Sequence, residues 1–367
     1  MESPRDPKGA PLVTPPTSKV PSQAGGYGRA ILRRLPLWGT LLGLALAVWL
    51  VATNDVGAVA DAFGRIGLAG LAGIVLIRAA IIALCGLAWA RILDRLSAAG
   101  TDAFLVLRFV REGINVLLPV ASVGGDLVGG RLLTFWRVGG ALAAASILVD
   151  MLVQVATQAL FALAGVGLLM QVEGETAATL AAWALRVLLV TTVVLAAFLA
   201  VQRGGAFRRI EHHLALLSRR FVRDGEPKAD ADEGGVQAAL DAVWARGRWG
   251  RLAQSVGLHL AAWTLGAAEI WLALACMGVE GVGLKEVVVI EALSQAIKSA
   301  AFAVPSGLGV QEGGFVLVGG LFGIDAGTAL ALSLAKRVPD VVLGLPALFL
   351  WKSLEARRSG LVPARPD

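Results

Sequence analysis

Ten ionisable residues fall inside apolar stretches of this chain: Glu112, Asp126, Asp150, Glu269, Glu291, Lys298, Glu312, Lys336, Arg337 and Asp340. An ionised side chain at the centre of a hydrocarbon layer costs about 2.5–3.5 kcal/mol on insertion scales. If only half of the ten sit at depth, the sum exceeds about 12 kcal/mol, comparable to the stability of a whole domain. Such groups must pair with one another or face a hydrated cavity, where they can bind a polar head group or carry a proton. Spacing sharpens the point. Glu291, Gln295 and Lys298 recur at i, i+4 and i+7, and Arg108, Arg111 and Asn115 at i, i+3 and i+7, so each set forms one polar stripe on a helix. Each has a plainer alternative. Arg108 and Arg111 can snorkel to a cytoplasmic interface, and Lys336 and Asp340, one turn apart, can form a simple i, i+4 pair. His259 and Trp263 share a helix face, where a buried neutral histidine is expected rather than a ligand.

The composition says what kind of molecule positions these groups. Of the 367 residues, 56% are apolar and only 16% charged, with a mean hydropathy of +0.72. Ordinary globular chains are about 45–50% apolar and about 25% charged. One water-soluble core of this size cannot hide so much apolar surface, so the chain is expected to be an all-α polytopic membrane protein. Cys85 and Cys276 both lie in apolar runs, which excludes a disulfide framework or a zinc ribbon. His212, His213 and His259 are too few and too scattered for a multi-metal site, and no GxxxxGK[ST] string offers a phosphate-cradling loop. No metal and no cofactor is expected. The net charge of +6 reflects the Lys/Arg bias of cytoplasmic segments rather than nucleic-acid binding.

Six runs are long enough to span a bilayer: about 35–54, 67–90, 138–170, 179–202, 250–277 and 326–353. The first is longer than a signal-peptide core, although Ala58-Val59-Ala60 resembles a cleavage site. Trp38, Trp89, Trp183 and Trp351, near span ends, are expected in the interfacial belt. Two further apolar stretches are interrupted. Pro119, Gly124, Gly125, Gly129 and Gly130 break 104–136, and Pro305, Gly307, Gly309, Gly313 and Gly314 break 286–323. Their halves are too short to cross, which predicts two re-entrant helical hairpins, since broken backbone at membrane depth needs protein or a wet cavity around it. Close helix packing is the other use for such glycines. Arginines concentrate in 203–249 and in the tail after 351, while 171–178 carries Glu173 and Glu175 and no Lys or Arg, so both termini and the 203–249 segment are expected in the cytoplasm. The resulting organisation is a disordered basic tail 1–34, a first membrane half 35–202, a cytoplasmic loop 203–249, a second half 250–355 and a tail 356–367.

The two hairpins resemble each other. Asp126 follows Pro119 by seven residues, and Glu312 follows Pro305 by seven. Glu112 and Lys298 precede those prolines by seven, and each hairpin leads into a helix with ionisable groups near its middle, Asp150 in one and Lys336 with Arg337 in the other. The first hairpin is flanked by basic ends and the second by Glu280 and Asp325, which implies opposite orientations, the signature of an inverted-repeat transporter whose broken segments mark the central site. The expected substrate pathway therefore comprises Glu112, Asn115, Pro119, Gly124, Gly125, Asp126, Asp150, Gln295, Lys298, Pro305, Gly307, Gly309, Gln311, Glu312, Lys336 and Arg337. Glu312, flanked by Gln311 and two glycines, is expected either to bind a hydroxyl head group or to pair with Lys298, fourteen residues earlier.

The string from Ser299 to Gly314, with its Gly309-Val310-Gln311-Glu312-Gly313-Gly314 element, resembles the hopanoid-associated membrane proteins called HpnL. These sit within the larger group similar to the flippase domain of lysylphosphatidylglycerol synthases, whose first glycine motif Leu118 to Gly130 resembles. Ser306 stands where that group is expected to have Gly, and Asp126 where Glu is common. The resemblance implies a multi-pass bacterial inner-membrane protein that moves hopanoids or related lipids across or out of that membrane, with a hopanoid or phospholipid as cargo and hopanoid-biosynthesis or transport proteins as possible partners. Aminoacyl-transfer chemistry is not expected, because only residues 354–367 follow the last span. Two other readings stay open: a membrane enzyme of lipid modification using Asp126 and Glu312 as acid and base, and a scaffold that assembles other enzymes through 203–249.

Overall fold

The chain divides into two units, residues 1–35 and 36–367. The computed structural model describes residues 41–359 except 42–43, 47, 51, 119–123, 206–234, 302–303 and 305–306, all within the second unit. Pro119, Pro305, Trp38 and part of the expected first span lie outside the described residues.

Every regular element among the described residues is helical. In chain order they are α1 (Val56–Leu93), α2 (Thr101–Leu117), α3 (Gly124–Leu133), α4 (Gly140–Leu169), α5 (Glu175–Arg203), α6 (Gly235–Val243), α7 (Trp249–Met277), α8 (Leu284–Ala300), α9 (Val310–Gly320) and α10 (Ala326–Ser359). Four segments are long and apolar enough to cross a membrane: α1, α4, α5, and α7 with the short turn before it. The expected sixth span is one continuous helix, α10, but Lys336, Arg337 and Asp340 sit in its middle and it is not among the four. The interrupted stretches are broken, but not at every glycine expected to break them: Gly124, Gly125, Gly129 and Gly130 lie within α3 and Gly313 and Gly314 within α9, while Gly307 and Gly309 lie at the second break. A 17-residue α2 and a 10-residue α3 flank the first break, and a 17-residue α8 and an 11-residue α9 flank the second. At 1.5 Å per residue α3 and α9 are about 15 Å long, half of a hydrocarbon core.

Local chemistry sets the ends. Asp55 caps α1 by accepting from the amides of Gly57 at 2.8 Å and Ala58 at 3.3 Å. Asp325 does the same for α10, accepting from Thr328 N at 2.9 Å and Thr328 Oγ1 at 2.7 Å; these bonds hold its carboxyl below the usual carboxylate range. Within α1, Gly67 has φ +63°, so the helix breaks where the apolar run begins.

The packing repeats. α1 lies along α7, and these two make the most extensive helix contact. α2 packs against α10, and α8 against α4, so the long arm of each hairpin rests on the helix that follows the other hairpin. The short arms, α3 and α9, pack against their own long arms and their own following helices. Exchanging α1–α4 with α7–α10 maps this pattern onto itself. Small residues make both crossed contacts close: a Cβ at Gly113 of α2 would lie 2.6 Å from Ala347 of α10, and one at Gly165 of α4 would lie 2.5 Å from Ala292 of α8.

Two apolar clusters result. One gathers Ile66, Ile74, Val166, Leu274, Ile290, Phe315 and Leu332, the other Trp89, Phe104, Ile114, Ile147, Val243 and Leu252. On α1, α7 and α10, polar residues fall between the stretches that feed these clusters: Arg78 on α1, His259 and Trp263 on α7, and Lys336 to Asp340 on α10. Two expectations need correction. Trp89 is not an interfacial residue; it is 0% exposed, set edge-on to Phe104, with its indole N–H donating to Ser146 Oγ at 3.1 Å. The 203–249 segment is not loop throughout, because α6 buries Gln237, Leu240 and Val243 against the body and packs on α4. Trp183 is exposed on α5, as a belt residue would be.

Candidate functional site

The first hairpin closes on an arginine. Arg111 of α2 is 1% exposed, and its guanidinium donates through Nε to Asp126 Oδ1 of α3 at 2.9 Å and through Nη1 to Asp150 Oδ2 of α4 at 2.8 Å. Its Nη2 also contacts Asp126, and the group lies over the Trp89 ring, 4.6 Å from the centroid. Arg108, one turn earlier, reaches Asp150 at 3.7 Å, Glu112 at 3.5 Å and Gln154 at 3.1 Å. Neither arginine snorkels. Both are buried, because carboxylates from two other helices meet them within the protein. Asn115 completes the stripe: its Oδ1 accepts from Gly125 N at 2.8 Å, and its Nδ2 faces Asp126 Oδ2 at 3.4 Å. Gly124 opens α3 beside it. His259 of α7 is buried with Nε2 3.3 Å from Asp150 Oδ1.

The second hairpin repeats the arrangement with the signs exchanged. In the first half the long arm α2 carries the cation and α4 the anion. In the second, Glu291 on the long arm α8 meets Lys336 on α10 at 2.7 Å. Lys336 also lies 3.4 Å from Glu269 of α7, which takes Arg78 of α1 at 2.9 Å, so this chain of charges joins the two halves. On the short arm, Glu312 is bonded by Arg337 Nε at 2.8 Å and by Ser333 Oγ at 3.2 Å. Two sequence-based pairings are thereby overturned. Glu312 is paired with Arg337 and not with Lys298, and Lys336 with Glu291 and Glu269 rather than Asp340. Lys298 Nζ instead donates to Gln311 Oε1 at 3.0 Å, while Gln311 Nε2 donates to Ser333 Oγ at 3.1 Å. Gly309 sits at the start of α9, and Gly307, at φ +60°, brings the break against the Lys298 stem.

Three cavities adjoin these groups. A polar one of about 140 Å³ is lined by Arg78, Arg108, Glu112, His259, Glu269, Glu291 and Lys298. A larger one of about 410 Å³ lies between α4, α5 and α8 and is bordered by Asp126, Gln158, Ser299 and Gly307. Gln154, Gln295 and Lys298 line both. A third, of about 200 Å³, is bounded by apolar side chains such as Val166, Leu180, Trp183 and Leu293, and shares Ala162, Val187, Leu188, Ala296 and Ala300 with the large one. The three cavities thus adjoin in a row, from buried charge, through amides, to bare hydrocarbon. The row ends at α5, whose most apolar window has none of its residues buried and which touches α8 only lightly.

Of the expected pathway residues, Glu112, Asp126, Gln295, Lys298 and Gly307 line these cavities. Asp150, Lys336 and Gln311 are buried behind them as partners of other side chains, and Glu312 and Arg337 line none of the three cavities. Asp126 and Glu312 are engaged separately, the first by Arg111 and Asn115, the second by Arg337 and Ser333. The sequence reading missed Arg78, Gln154 and Gln158. Arg78 carried a signal, a lone cation in the middle of an apolar run; the glutamines carried none. Among the described residues no group of three or more His, Cys, Asp or Glu side chains is arranged to hold a metal ion.

No curated protein and no solved structure matches the chain. Residues 37–347 match the family model described as the lysylphosphatidylglycerol synthase TM region. That match covers most of the chain and all of α1 to α9, including both broken segments and the charges between them. The chain belongs to the lysylphosphatidylglycerol synthase TM-region family, membrane proteins that act on lipids.

Proposed function

We propose that the protein is an integral lipid transporter of the flippase type, without enzymatic chemistry of its own, that moves hopanoids or related lipids across or out of the bacterial inner membrane. In this reading six helices span the bilayer and α2/α3 and α8/α9 are re-entrant hairpins of opposite orientation, with both termini in the cytoplasm. The observation that carries it is the row of adjoining cavities from a charged one of about 140 Å³, through one of about 410 Å³, to an apolar one of about 200 Å³ beside α5. An amphiphile needs such an arrangement: a polar head must stay solvated while its tail stays in hydrocarbon. Crossed repeats with paired broken helices supply it near the membrane midplane in secondary transporters. The Gly309 to Gly314 string supports the hopanoid-associated HpnL branch, and hopanoid-biosynthesis or transport proteins are the partners that branch implies.

The test is leaflet distribution. Purified protein in vesicles carrying fluorescent lipids with short tails should raise the fraction bleached by an added membrane-impermeant reductant, while a parallel sample kept from the reductant should hold chemically unchanged lipid. A modified lipid with unaltered leaflet distribution would establish an enzyme instead.

A further inference from the structure

We infer that Asp340 is the seat of a proton that powers transport, held on α10 where that helix crosses α2. The inference rests on the transport reading above and deepens it by naming the coupling ion. Seven carboxylates stand in the polar layer. Six of them have a Lys or Arg nitrogen within 3.5 Å: Glu269 meets Arg78, Glu112 meets Arg108, Asp126 and Asp150 meet Arg111, Glu291 meets Lys336, and Glu312 meets Arg337. The seventh, Asp340, has neither an ion pair nor a hydrogen bond among the described residues. Lys298, whose ammonium meets the neutral Oε1 of Gln311, is the one further cation of the layer among those residues, so the carboxylates exceed Lys and Arg by one. A surplus ionised carboxylate at this depth is costly, and a proton removes that cost.

The surroundings of Asp340 suit a proton that comes and goes. The charges acting on it are Arg78 of α1, Lys298 of α8, Glu112 of α2 and Arg337 of its own helix. On the other helices packed against α10, Glu269 of α7 is taken by Arg78 and Lys336, and Glu312 of α9 by Arg337. His259 of α7 is the layer's other proton acceptor, but its Nε2 lies 3.3 Å from Asp150, so a proton there is held in a pair. A cavity of about 10 Å³, room for about one water, is lined by Asp340, Glu112 and Arg78, whose Nε is buried without a partner among the described residues. Glu112 and Arg78 also line the polar cavity of about 140 Å³. A proton leaving the Asp340 carboxyl passes to that water or to Glu112, and the carboxylate stays behind. Gly113 and Gly344 wall the same small cavity, within the crossed contact of α2 with α10. A neutral carboxyl lets that contact close without enclosing an unpaired charge, while an ionised one draws water into it. The proton thereby biases an interface between the two halves, as coupling to lipid movement requires.

Infrared difference spectra of the full chain in lipid vesicles test the seat. A carboxyl C=O band should appear as pH is lowered through neutrality, vanish in Asp340→Asn, shift in Asp340→Glu and persist in His259→Gln. A carboxyl band that pH does not change in the unaltered protein would overturn the inference, whatever the folding of the variants. So would a band left as it was by both Asp340→Asn and Asp340→Glu. Coupling is read from the leaflet distribution of trace fluorescent phosphatidylcholine with short tails in sealed vesicles. One pH unit across the membrane is a tenfold proton ratio, so at one proton per lipid the leaflet ratio should shift by up to about tenfold. A protonophore should reverse the shift, and Asp340→Asn should lose it. Lipid movement blind to the gradient would overturn proton coupling and leave the transport reading intact. A titrating Asp340 band with no lipid movement under any condition would leave the proton site standing and remove the transport reading.

Discussion

Glu312 and Arg337 allow the pairing in the second half to be tested by a double-mutant cycle. Glu312 is 5% exposed; Oε1 is bonded by Arg337 and Ser333, while Oε2 is buried with no partner among the described residues. Arg337→Met leaves that carboxylate with a single hydroxyl. Removing one partner of a buried ion pair costs about 3–5 kcal/mol. Glu312→Gln should cost less, about 1–3 kcal/mol, because the Arg337 side chain is 19% exposed and the guanidinium left behind keeps some hydration. Combining the two removes both charges, so the double variant should lie close to Glu312→Gln and far short of the sum, with a coupling of about 2 kcal/mol or more. By the scaling for proteins of about 150–250 residues, roughly 2–4 °C per kcal/mol, Arg337→Met alone should lower the melting temperature by about 6–20 °C. Tryptophan-fluorescence melts of the purified protein in one detergent measure all four corners. Lys298→Met supplies the control, since it should add to Glu312→Gln without rescuing it. Strict additivity of Glu312→Gln and Arg337→Met, or rescue by Lys298→Met, would refute the assigned partnership.

Arg111→Met should be more damaging than Arg337→Met, because it takes the guanidinium from two carboxylates at once, leaving Asp126 with Asn115 and Asp150 with Arg108 at 3.7 Å and His259 at 3.3 Å; Arg111→Lys should recover part of the melting temperature but not all, since one ammonium cannot reproduce the forked contact to both carboxylates. Topology is testable with reporters: one fused within 206–234 should read cytoplasmic and one near Glu173 periplasmic, and single cysteines along 115–130 and 302–315 should react with impermeant thiol reagent from opposite sides. Labelling of both stretches from the same side would remove the inverted orientation.

What was legible in the sequence was whatever depends on neighbours along the chain. The presence of two helix breaks was legible, and Gly307 and Gly309, both at positive φ, mark the second, whereas Gly129, Gly130, Gly313 and Gly314 continue α3 and α9 because glycine alone does not end a helix that packing supports. The polar stripe Glu291, Gln295, Lys298 held because its spacing is a property of one helix, and all three residues line one cavity. Charge partners were not legible. Pairing with Lys298 was one of two roles open to Glu312 because both belong to one hairpin, but α10 returns alongside α9 and brings Arg337, 25 residues on, into contact. Arg108 and Arg111 looked like interface residues because their partner Asp150 lies on another helix, about 40 residues away. Trp89 sits near the end of an apolar run, which suggested the bilayer edge, yet Leu93, Phe104 and Leu133 continue the core beyond it. α6 was hidden because the charged segment before it masks a short amphipathic helix whose buried face appears only once α4 is present.

The two kinds of contact that hold each hairpin differ in what it costs to change them. Ion pairs bind both long arms to the following helices of their own halves, through Arg111 to Asp150 and Glu291 to Lys336. Mainly apolar packing binds the same arms to the other half, through α2 on α10 and α8 on α4, with small residues at the closest points and Gln158 of α4 donating to Gln295 O and Ser299 Oγ of α8. Separating a buried ion pair costs about 3–5 kcal/mol and leaves two charges to be rehydrated. Sliding one apolar surface along another at constant burial changes little of the roughly 25 cal/mol per Å² that holds it. The weaker resistance therefore lies along the two crossed interfaces, and the stronger within each half. Among the described residues the charged links across the halves are Arg78 with Glu269 and His259 with Asp150 at the centre of the packing, and Asp94 with Arg251 and Arg131 with Glu355 nearer the surface. The second of those crossed interfaces, α8 on α4, borders the large cavity at the point where Lys298, Gln154 and Gln295 line both it and the polar one.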